Sequence, residues 1–367
     1  MTERANPRRR VLIGATGAAV AALAGRESGG TPREPAGAGP RPLVLPGFVD
    51  LQVNGFAGVD FSDPAVSADR LAQAVAALAK TGVTRFLPTL ITSSLDSFSA
   101  CARTLARAGL PGIAGIHMEG PYISPEDGPR GAHAREHVRA ASLDDFARRQ
   151  DAADGRIRLV TLAPEVSGAL ALIERLAATG VRVAIGHTAA SGAQIRDAVR
   201  AGATLSTHLG NGCASVLPRH PNVIWEQLGE DGLIASFIVD GHHLPPATVR
   251  SMVRAKTPAR SILVTDAMAA AGMPPGVYTL GGQQVELDAT GRVAAPGAPN
   301  LAGSALSMPV AIGNAVRFTG LTLEEVLPMA TTRPAEYIGI QPSGSVNAEW
   351  DAAASVLRVS PPGPGAA

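Results

Sequence analysis

Eight short apolar runs separated by amphipathic segments are the strongest constraint on the fold of this 367-residue chain. Repeated strand-helix units of this kind build a parallel sheet covered by helices. The apolar runs predict strands over residues 48–53, 83–90, 113–118, 157–162, 181–185, 204–207, 233–239 and 262–265. Helices are predicted over residues 68–80, 95–108, 142–150, 168–178, 191–201, 246–255, 308–318 and 323–330, and a hairpin within 278–293. Eight such units close into a barrel as readily as they form an open sheet, so the count alone permits both architectures.

Reactive side chains follow five of the eight runs and favour the barrel. Glu119 follows the third run, His187 the fifth, His208 the sixth, His243 the seventh and Asp266 the eighth. In a barrel the ends of all strands meet on one face. An open sheet spaces neighbouring strands by roughly 4.8 Å and would spread these side chains too widely to share a metal. We therefore predict a (β/α)8 TIM barrel over residues 42–340.

Glu119, His187 and His208 have the composition of a catalytic zinc site. Two histidines and one carboxylate bind zinc and leave a position for water. A single histidine at a strand end is more often structural, but three such ligands on converging strand ends favour a metal. Asp266 stands at the last strand end, where it would take a proton from the metal-activated water and return it to the leaving group. Its structural alternative is a cap on the following segment.

The first strand bears on the number of metals. Barrel hydrolases with two metals commonly carry His-x-His on this strand, but this chain has Gln52 and Asn54 at the two histidine positions. Amides are poor ligands for zinc. We therefore expect one divalent metal ion, with zinc as the first choice and other divalent transition metals as alternatives.

Composition points to a small-molecule substrate. The chain has 32 basic and 31 acidic residues and a net charge of +1, so it has no broad field to attract nucleic acid or a membrane surface. After the N-terminal region, no segment approaches the roughly 20 apolar residues of a membrane span. Two cysteines, Cys101 and Cys213, permit at most one disulfide and are equally compatible with a reducing compartment.

Both chain ends depart from the strand-helix pattern. In residues 1–41, three arginines precede an apolar run over 11–25, which is typical of a twin-arginine export signal. The alternative is an eroded strand pair from a small accessory β-domain. Residues 29–42 are rich in glycine and proline and predict a linker. After Gly344 the periodicity is lost, and the segment 341–367 is predicted to be a degenerate strand segment with a frayed tail.

Seven motifs occur in order between Pro46 and Gly339. They are Pro46-Gly47-Phe48-Val49-Asp50-Leu51-Gln52-Val53-Asn54-Gly55, His117-Met118-Glu119-Gly120-Pro121, Gly186-His187-Thr188, Thr207-His208-Leu209, Asp240-Gly241-His242-His243, Thr265-Asp266-Ala267-Met268 and Leu301-Ala302-Gly303-Ser304. Together they resemble the motifs of the N-acetylglucosamine-6-phosphate deacetylases, a family of the amidohydrolase superfamily. The resemblance implies hydrolysis of N-acetylglucosamine 6-phosphate to glucosamine 6-phosphate and acetate, with Asp266 moving the proton.

The resemblance also implies a set of substrate contacts. These are Ala132, His133, Asn211, Gly212, Arg219, Asp240, His243, Leu301, Ala302 and Gly303. Ala132 and His133 would contact the sugar or the acetyl group, and His243 with Asp240 would supply a further donor. Asn211, Gly212 and Arg219 would hold the phosphate, and residues 301–303 would line the acetyl pocket. Members of the family are homodimers, so Arg219 would act in the neighbouring subunit's site. An accessory β-sandwich from the two chain ends, reduced in this sequence, is implied as well.

Two alternative functions stay open. Where the family has a His-Leu-Phe-Asn-Ala-Met sequence, residues 208–213 read His-Leu-Gly-Asn-Gly-Cys, which removes an aromatic side chain and adds backbone freedom. This departure permits an unphosphorylated N-acetyl sugar or another N-acyl compound as the substrate. A catalytically silent barrel that only binds a sugar is the alternative of another class. A phosphorylated substrate implies a cytoplasmic enzyme, whereas the twin-arginine-like segment implies export.

Overall fold

A computed structural model describes residues 39–280, 283–297 and 301–360. Its strands, in chain order, are β1 (Arg41–Pro46), β2 (Phe48–Val53), β3 (Gly55–Phe56), β4 (Val59–Asp60), β5 (Val83–Ile91), β6 (Ile116–Glu119), β7 (Ile157–Leu162), β8 (Arg182–Ile185), β9 (Leu205–Ser206), β10 (Ile234–Phe237), β11 (Ser261–Leu263), β12 (Gly276–Leu280), β13 (Gln283–Leu287), β14 (Arg292–Ala294), β15 (Leu301–Ser304), β16 (Ser345–Asp351) and β17 (Val356–Val359). Its helices are α1 (Ala68–Ala79), α2 (Leu95–Arg107), α3 (Leu143–Ala152), α4 (Ala169–Ala178), α5 (Gly192–Ala201), α6 (Val223–Gly229), α7 (Pro246–Lys256), α8 (Met308–Thr319), α9 (Leu323–Ala330) and α10 (Thr332–Tyr337).

The eight predicted strands form one parallel sheet that closes into a barrel. The strand order is β11-β10-β9-β8-β7-β6-β5-β2. The two ends of this order meet just past β2 and β11, where the backbone N–H of Asp266 donates to the carbonyl of Gln52 at 2.9 Å. The N–H of Asn54 donates to the carbonyl of Ala267 at 2.8 Å. The predicted (β/α)8 barrel is therefore confirmed, with all strand ends on one face.

Serine side chains set the starts of four barrel helices. Ser67, Ser94, Ser142 and Ser191 each accept a hydrogen bond from a backbone N–H in the first turn of α1, α2, α3 and α5. Such caps satisfy N–H groups that have no partner inside the helix. The eight predicted helices are confirmed to within two residues at each end. The short helices α6 and α10 were not predicted, because seven and six residues give too little apolar periodicity.

The chain ends form a small antiparallel sheet of their own. Strand β1 pairs with β16, which pairs with β17. Val346, Ala348 and Trp350 are buried while their neighbours are exposed, so the expectation that periodicity is lost after Gly344 is wrong. Alternation with a period of two is the pattern of a half-buried strand. Residues 41 and 42, predicted as linker, belong to β1. The reduced accessory sheet implied by the resemblance is thus present.

Some sequence predictions fall on other parts of the chain. The twin-arginine-like segment, most of the predicted linker and the tail after residue 360 lie outside the described residues. The predicted domain boundaries at residues 41 and 340 stay a prediction. Within the described ranges, no helix has both the length and the apolar character needed to cross a membrane.

The predicted hairpin is part of a four-stranded antiparallel sheet after the last barrel strand. Strands β12, β13, β14 and β15 follow one another in this sheet. Val285, Leu287 and Val293 pack beneath it in a small separate core. The sheet is joined to the barrel rim where the N–H of Met268 donates to the carbonyl of Ser304 at 2.9 Å. This contact places β15 beside Asp266.

Asp50 is a fully buried carboxyl between the first and last barrel strands. It accepts hydrogen bonds from the Thr265 hydroxyl at 2.6 Å and from the N–H of Gln52 at 3.2 Å. Burial raises the pKa of Asp50 to about 7, although these hydrogen bonds act in the opposite direction. A carboxyl whose pKa is raised in the folded state binds its proton more tightly there than in the unfolded chain. Its ionisation therefore removes stability as the pH rises from about 4 to about 7.

Asp50→Asn should abolish this pH dependence. We expect the Tm of the variant, relative to that of the parent, to rise steadily between pH 4 and pH 8, by the equivalent of at most about 4 kcal/mol. Thermal unfolding at a series of pH values measures the difference. The matched control is Asp69→Asn at an exposed position of α1, for which the difference should be flat. A Tm difference for Asp50→Asn that does not change with pH would contradict the prediction.

Candidate metal and catalytic site

Three buried ligand atoms from three strand ends converge at the mouth of the barrel. Glu119 Oε1 lies 3.2 Å from His187 Nε2 and 3.0 Å from His208 Nε2. The two imidazole nitrogens are 3.1 Å apart. Four ligands at about 2.0–2.1 Å around zinc lie roughly 3.4 Å from one another. The three atoms are therefore near the separations that a tetrahedral metal site requires.

The tautomer of His187 supports a cation at this point. Its Nδ1 lies 2.9 Å from the carbonyl oxygen of Pro129 and carries the proton in that hydrogen bond. The Nε2 atom is then an unprotonated acceptor aimed at the carboxylate of Glu119. Two acceptors this close repel each other unless a cation or a shared proton lies between them. The ligand set fits a divalent metal, whose histidine ligands usually donate through their other ring nitrogen.

His133 lies beside the three ligands as a further buried group. Its Nε2 is 3.9 Å from Glu119 Oε2, and its Nδ1 is 2.7 Å from the hydroxyl of Thr92. Glu119, His133 and His187 also form a group whose ligand atoms all lie within 4.8 Å of one another. We place the candidate metal at the cluster that contains His208, because its separations are shorter and match zinc better. Burial lowers the pKa of His133 to about 3, so this imidazole is neutral.

Three functional candidates have left-handed backbone conformations. The φ angles of His187, His208 and Asp266 are 50°, 30° and 49°. Residues with a Cβ rarely adopt positive φ, and such strain concentrates at functional sites. Neighbouring strands hold the backbone in place: the N–H of His208 donates to the hydroxyl of Ser236 at 2.8 Å. The carbonyl of His187 accepts from the N–H of Ser124 at 2.9 Å.

The two amides at the end of the first barrel strand donate hydrogen bonds to the acidic groups of the site. Gln52 Nε2 donates to Glu119 Oε1 at 2.9 Å, and Asn54 Nδ2 donates to Asp266 Oδ1 at 2.6 Å. They are therefore placed to orient carboxylates rather than to bind a metal. This orienting role was not predicted from the sequence. Their alternate positions on one strand, which put both side chains on the same side, were the available signal.

The two carboxylates of the site have opposite pKa shifts. Burial raises the pKa of Asp266 to about 6, and the negative charge of Glu119 adds to this shift. Burial also favours a raised pKa for Glu119, but the adjoining imidazoles of His187 and His208 outweigh it and keep the pKa of Glu119 well below its usual value. Glu119 thus stays ionised as a ligand should. Asp266 has the proton affinity of a group that gains and loses a proton near neutrality.

His243 and Asp240 form a pair next to the site. His243 Nδ1 lies 2.6 Å from Asp240 Oδ2, and Asp240 Oδ1 accepts from the backbone N–H of His243 at 2.8 Å. Burial of Asp240 opposes ionisation, but the hydrogen bonds from His243 prevail and lower the pKa of Asp240. The carboxylate fixes the orientation of the imidazole. The electrostatic influence of His243 acts to lower the pKa of Asp266, against the effect of burial. The role of Asp240 and His243 as substrate contacts stays a prediction.

The loop after His208 packs against the metal ligands. Asn211 donates its side-chain amide to the carbonyl of His208 at 3.1 Å. Gly212 has a φ of 56°, and a Cβ there would lie 2.9 Å from His187 Nδ1. A side chain on Gly210 would meet Leu244 at 2.9 Å. Gly210 stands where the family has phenylalanine. The space beside it is therefore filled by side chains of α7 and of the residues just before α7.

The remaining substrate candidates divide into two groups. Leu301, Ala302 and Gly303 lie in β15 beside the Asp266 segment, and a Cβ on Gly303 would lie 2.8 Å from Met268. Ala132 is exposed in the loop that carries His133. Arg219 is exposed, and its side chain makes no hydrogen bond or ion pair to the described residues. Within one chain the structure does not bring Arg219 to the metal cluster.

Comparison with known proteins identifies the class. The sequence profile of the amidohydrolase family matches residues 43–363, and the chain belongs to this family. N-acetylgalactosamine-6-phosphate deacetylase from Escherichia coli O157:H7 is 37% identical over 304 residues, which cover 81% of this chain and 78% of that protein. Human N-acetylglucosamine-6-phosphate deacetylase is 37% identical over 320 residues, which cover 82% and 76%.

A solved structure agrees with these relatives. It is a mutant of N-acetyl-D-glucosamine-6-phosphate deacetylase from Mycobacterium smegmatis in complex with N-acetyl-D-glucosamine-6-phosphate. Its TM-score is 0.78 at 35% sequence identity, over 87% of this chain and 85% of that chain. The resemblance to N-acetylglucosamine-6-phosphate deacetylases that the motifs indicate is thereby confirmed.

The ligand set predicts one tight metal per chain. We expect apoprotein to take up one equivalent of zinc and His208→Ala to weaken zinc binding by more than about 100-fold, beyond the loss that follows removal of an outer hydrogen-bond partner. Chelator competition and metal analysis measure both quantities. The control is His137→Ala, a histidine in the short turn Arg135–His137. Two tight equivalents in the parent, or unchanged affinity in His208→Ala, would contradict this assignment.

Proposed function

We propose that this protein is a zinc-dependent deacetylase that hydrolyses N-acetylglucosamine 6-phosphate to glucosamine 6-phosphate and acetate. The observation that carries the proposal is the convergence of Glu119, His187 and His208 within 3.2 Å, with Asp266 following the last strand of the same barrel. The relatives named above support the substrate class. One of them acts on the galactosamine epimer, so that epimer is the second candidate substrate.

The chain's own residues supply positioning and proton transfer. A divalent metal, when bound, contributes a Lewis acid and lowers the pKa of water. Asp266, held by the amide of Asn54, accepts the proton of the attacking water and returns it to the departing amine. His133, neutral because it is buried, offers a donor or acceptor to the acetyl group or the sugar. His243, fixed by Asp240, contributes a further donor beside the base.

Phosphate recognition needs more than one chain supplies. Arg219 is exposed and unpaired within the described residues, which is the state expected of a side chain that acts across a subunit boundary. We therefore propose a homodimer in which Arg219 reaches the phosphate in the neighbouring subunit. A guanidinium binds phosphate through two parallel hydrogen bonds, and Asn211 and Gly212 would complete the pocket. A phosphorylated substrate argues for a cytoplasmic location, and export is the alternative.

The glycines at 210 and 212 favour one further candidate. Because glycine has no side chain, the loop next to the metal cluster presents its backbone where the family has an aromatic side chain. An unphosphorylated N-acetyl sugar or another N-acyl compound is therefore the alternative substrate. Acetate release from the 6-phosphates of N-acetylglucosamine and N-acetylgalactosamine, compared with the free sugars, decides between these substrates. No release from any of them by the zinc-loaded parent would favour a silent sugar-binding barrel.

Asp266→Asn tests the proton transfer. Because the amide cannot accept a proton, we expect kcat for acetate release to fall by about 10²–10⁴-fold, the usual contribution of general acid-base catalysis. Zinc affinity should stay close to that of the parent, since Glu119, His187 and His208 are unchanged. Steady-state kinetics with parallel metal analysis check both expectations. A variant that keeps its kcat would remove Asp266 from the mechanism.

Arg219→Ala tests phosphate recognition. Loss of a charged hydrogen bond should raise KM for the 6-phosphate by about 10–100-fold and leave the rate on the free sugar unchanged. Arg254→Ala, at an exposed position of α7, is the matched control. If Arg219 acts in the neighbouring subunit, hybrid dimers of Arg219→Ala and Asp266→Asn chains should be more active than either variant alone. An unchanged KM would exclude Arg219 from the phosphate site.

A further inference from the structure

A carboxylate outside the proposed site anchors the chain directly after the ligand His187. Glu165 Oε2 accepts a hydrogen bond from the hydroxyl of Thr188 at 2.5 Å. Its other oxygen, Oε1, accepts from the backbone N–H of Ala189 at 2.7 Å. The hydroxyl of Thr188 also accepts from the N–H of Ala190 at 3.0 Å. One side chain thus holds two consecutive residues that follow the ligand.

The backbone at His187 needs such an anchor. Its φ of 50° costs on the order of 1 kcal/mol or more for a residue with a Cβ. Gly186 precedes it in a confined position, where a Cβ would lie 2.8 Å from both Thr161 and Thr207. The chain therefore turns sharply between Gly186, which is closely packed, and His187, whose backbone is strained. Its exit direction, and with it the direction of the imidazole, depends on what holds the residues that follow.

Glu165 reaches this turn from the neighbouring strand. It follows β7 by three residues, and β7 is paired with β8, which leads into His187. Glu165 is half-buried and makes no ion pair with the described residues. Both partners are uncharged donors, so the site needs two acceptor oxygens. A carboxylate provides them, whereas an amide provides only one.

We propose that Glu165 is a positioning residue that orients the imidazole of His187 toward the metal. It acts through Thr188 and Ala189 and touches neither metal nor substrate. Outer hydrogen-bond partners that orient a ligand typically change metal affinity by about 10–100-fold when removed. The inference rests on the metal site of the proposed function and adds to it the group that holds one ligand in a strained conformation.

Zinc binding by the apoprotein tests this role without reference to catalysis. We expect Glu165→Ala to weaken zinc affinity by about 10–100-fold in chelator competition and to reduce the rise in Tm that zinc produces. Glu165→Gln, which keeps one acceptor, should lie between Glu165→Ala and the parent. The control is Glu325→Ala, which removes a carboxylate that accepts from the N–H of Thr322 at 2.8 Å at the start of α9. It should lower the Tm of the apoprotein and leave zinc affinity unchanged.

The outcomes separate the positioning role from a structural one. A fall in apoprotein Tm with parental zinc affinity in Glu165→Ala would overturn the proposal, since that pattern reports only a fold contact. If Glu165→Ala does not fold, Glu165→Gln decides by the same criterion. A parent that binds no zinc would overturn both this inference and the proposed function. A parent that binds zinc but releases no acetate would overturn the proposed reaction alone, and the zinc affinities of the variants would still test Glu165.

Discussion

Closure of the barrel between its first and last strands is the constraint on which the site depends. The N–H of Asp266 donates to the carbonyl of Gln52, and the side chain of Asn54 donates to the carboxylate of Asp266. Gln52 in turn donates to Glu119. The seam that closes the sheet therefore also links the candidate base to a candidate metal ligand. In an open sheet the first and last strands would be separated by six others, at roughly 4.8 Å for each step.

The site is built where the backbone stops being regular. Each of the three strained residues follows a strand whose last hydrogen bonds fix the chain just before the turn. His187, His208 and Asp266 have left-handed backbone conformations, which cost free energy. Contacts from other strand ends offset this cost. The hydroxyl of Ser236 accepts from the backbone N–H of one ligand, His208, and Glu165 holds the two residues that follow another, His187. The groups that position the ligands are thus as dispersed along the chain as the ligands themselves.

Much of the architecture could be predicted from the sequence because strands and helices have local signals. Apolar runs located the barrel strands, and the residues at their ends located the cluster. Contacts between distant positions left no such signal: Gln52 and Glu119 are 67 residues apart, and Asn54 and Asp266 are 212 apart. The strand at 345–351 was expected only as a degenerate segment, because its exposed polar residues alternate with only a few buried ones. Arg219 is exposed in the single chain, and its assignment to the phosphate came from the resemblance and not from a local signal.

The pairing of the two chain ends has a consequence for biosynthesis. Strand β1 has β16 as its sheet partner and leads directly into β2, which contains Gln52 and ends just before Asn54. Chains are made from the N-terminus, and domains fold as units once enough of them has left the ribosome. Strand β1 is synthesised early, but it cannot pair until β16 has been synthesised about 300 residues later. In a ribosome-bound chain that ends before β16, β1 would be an unpaired strand. Unpaired strand edges can associate with other chains and are bound by chaperones.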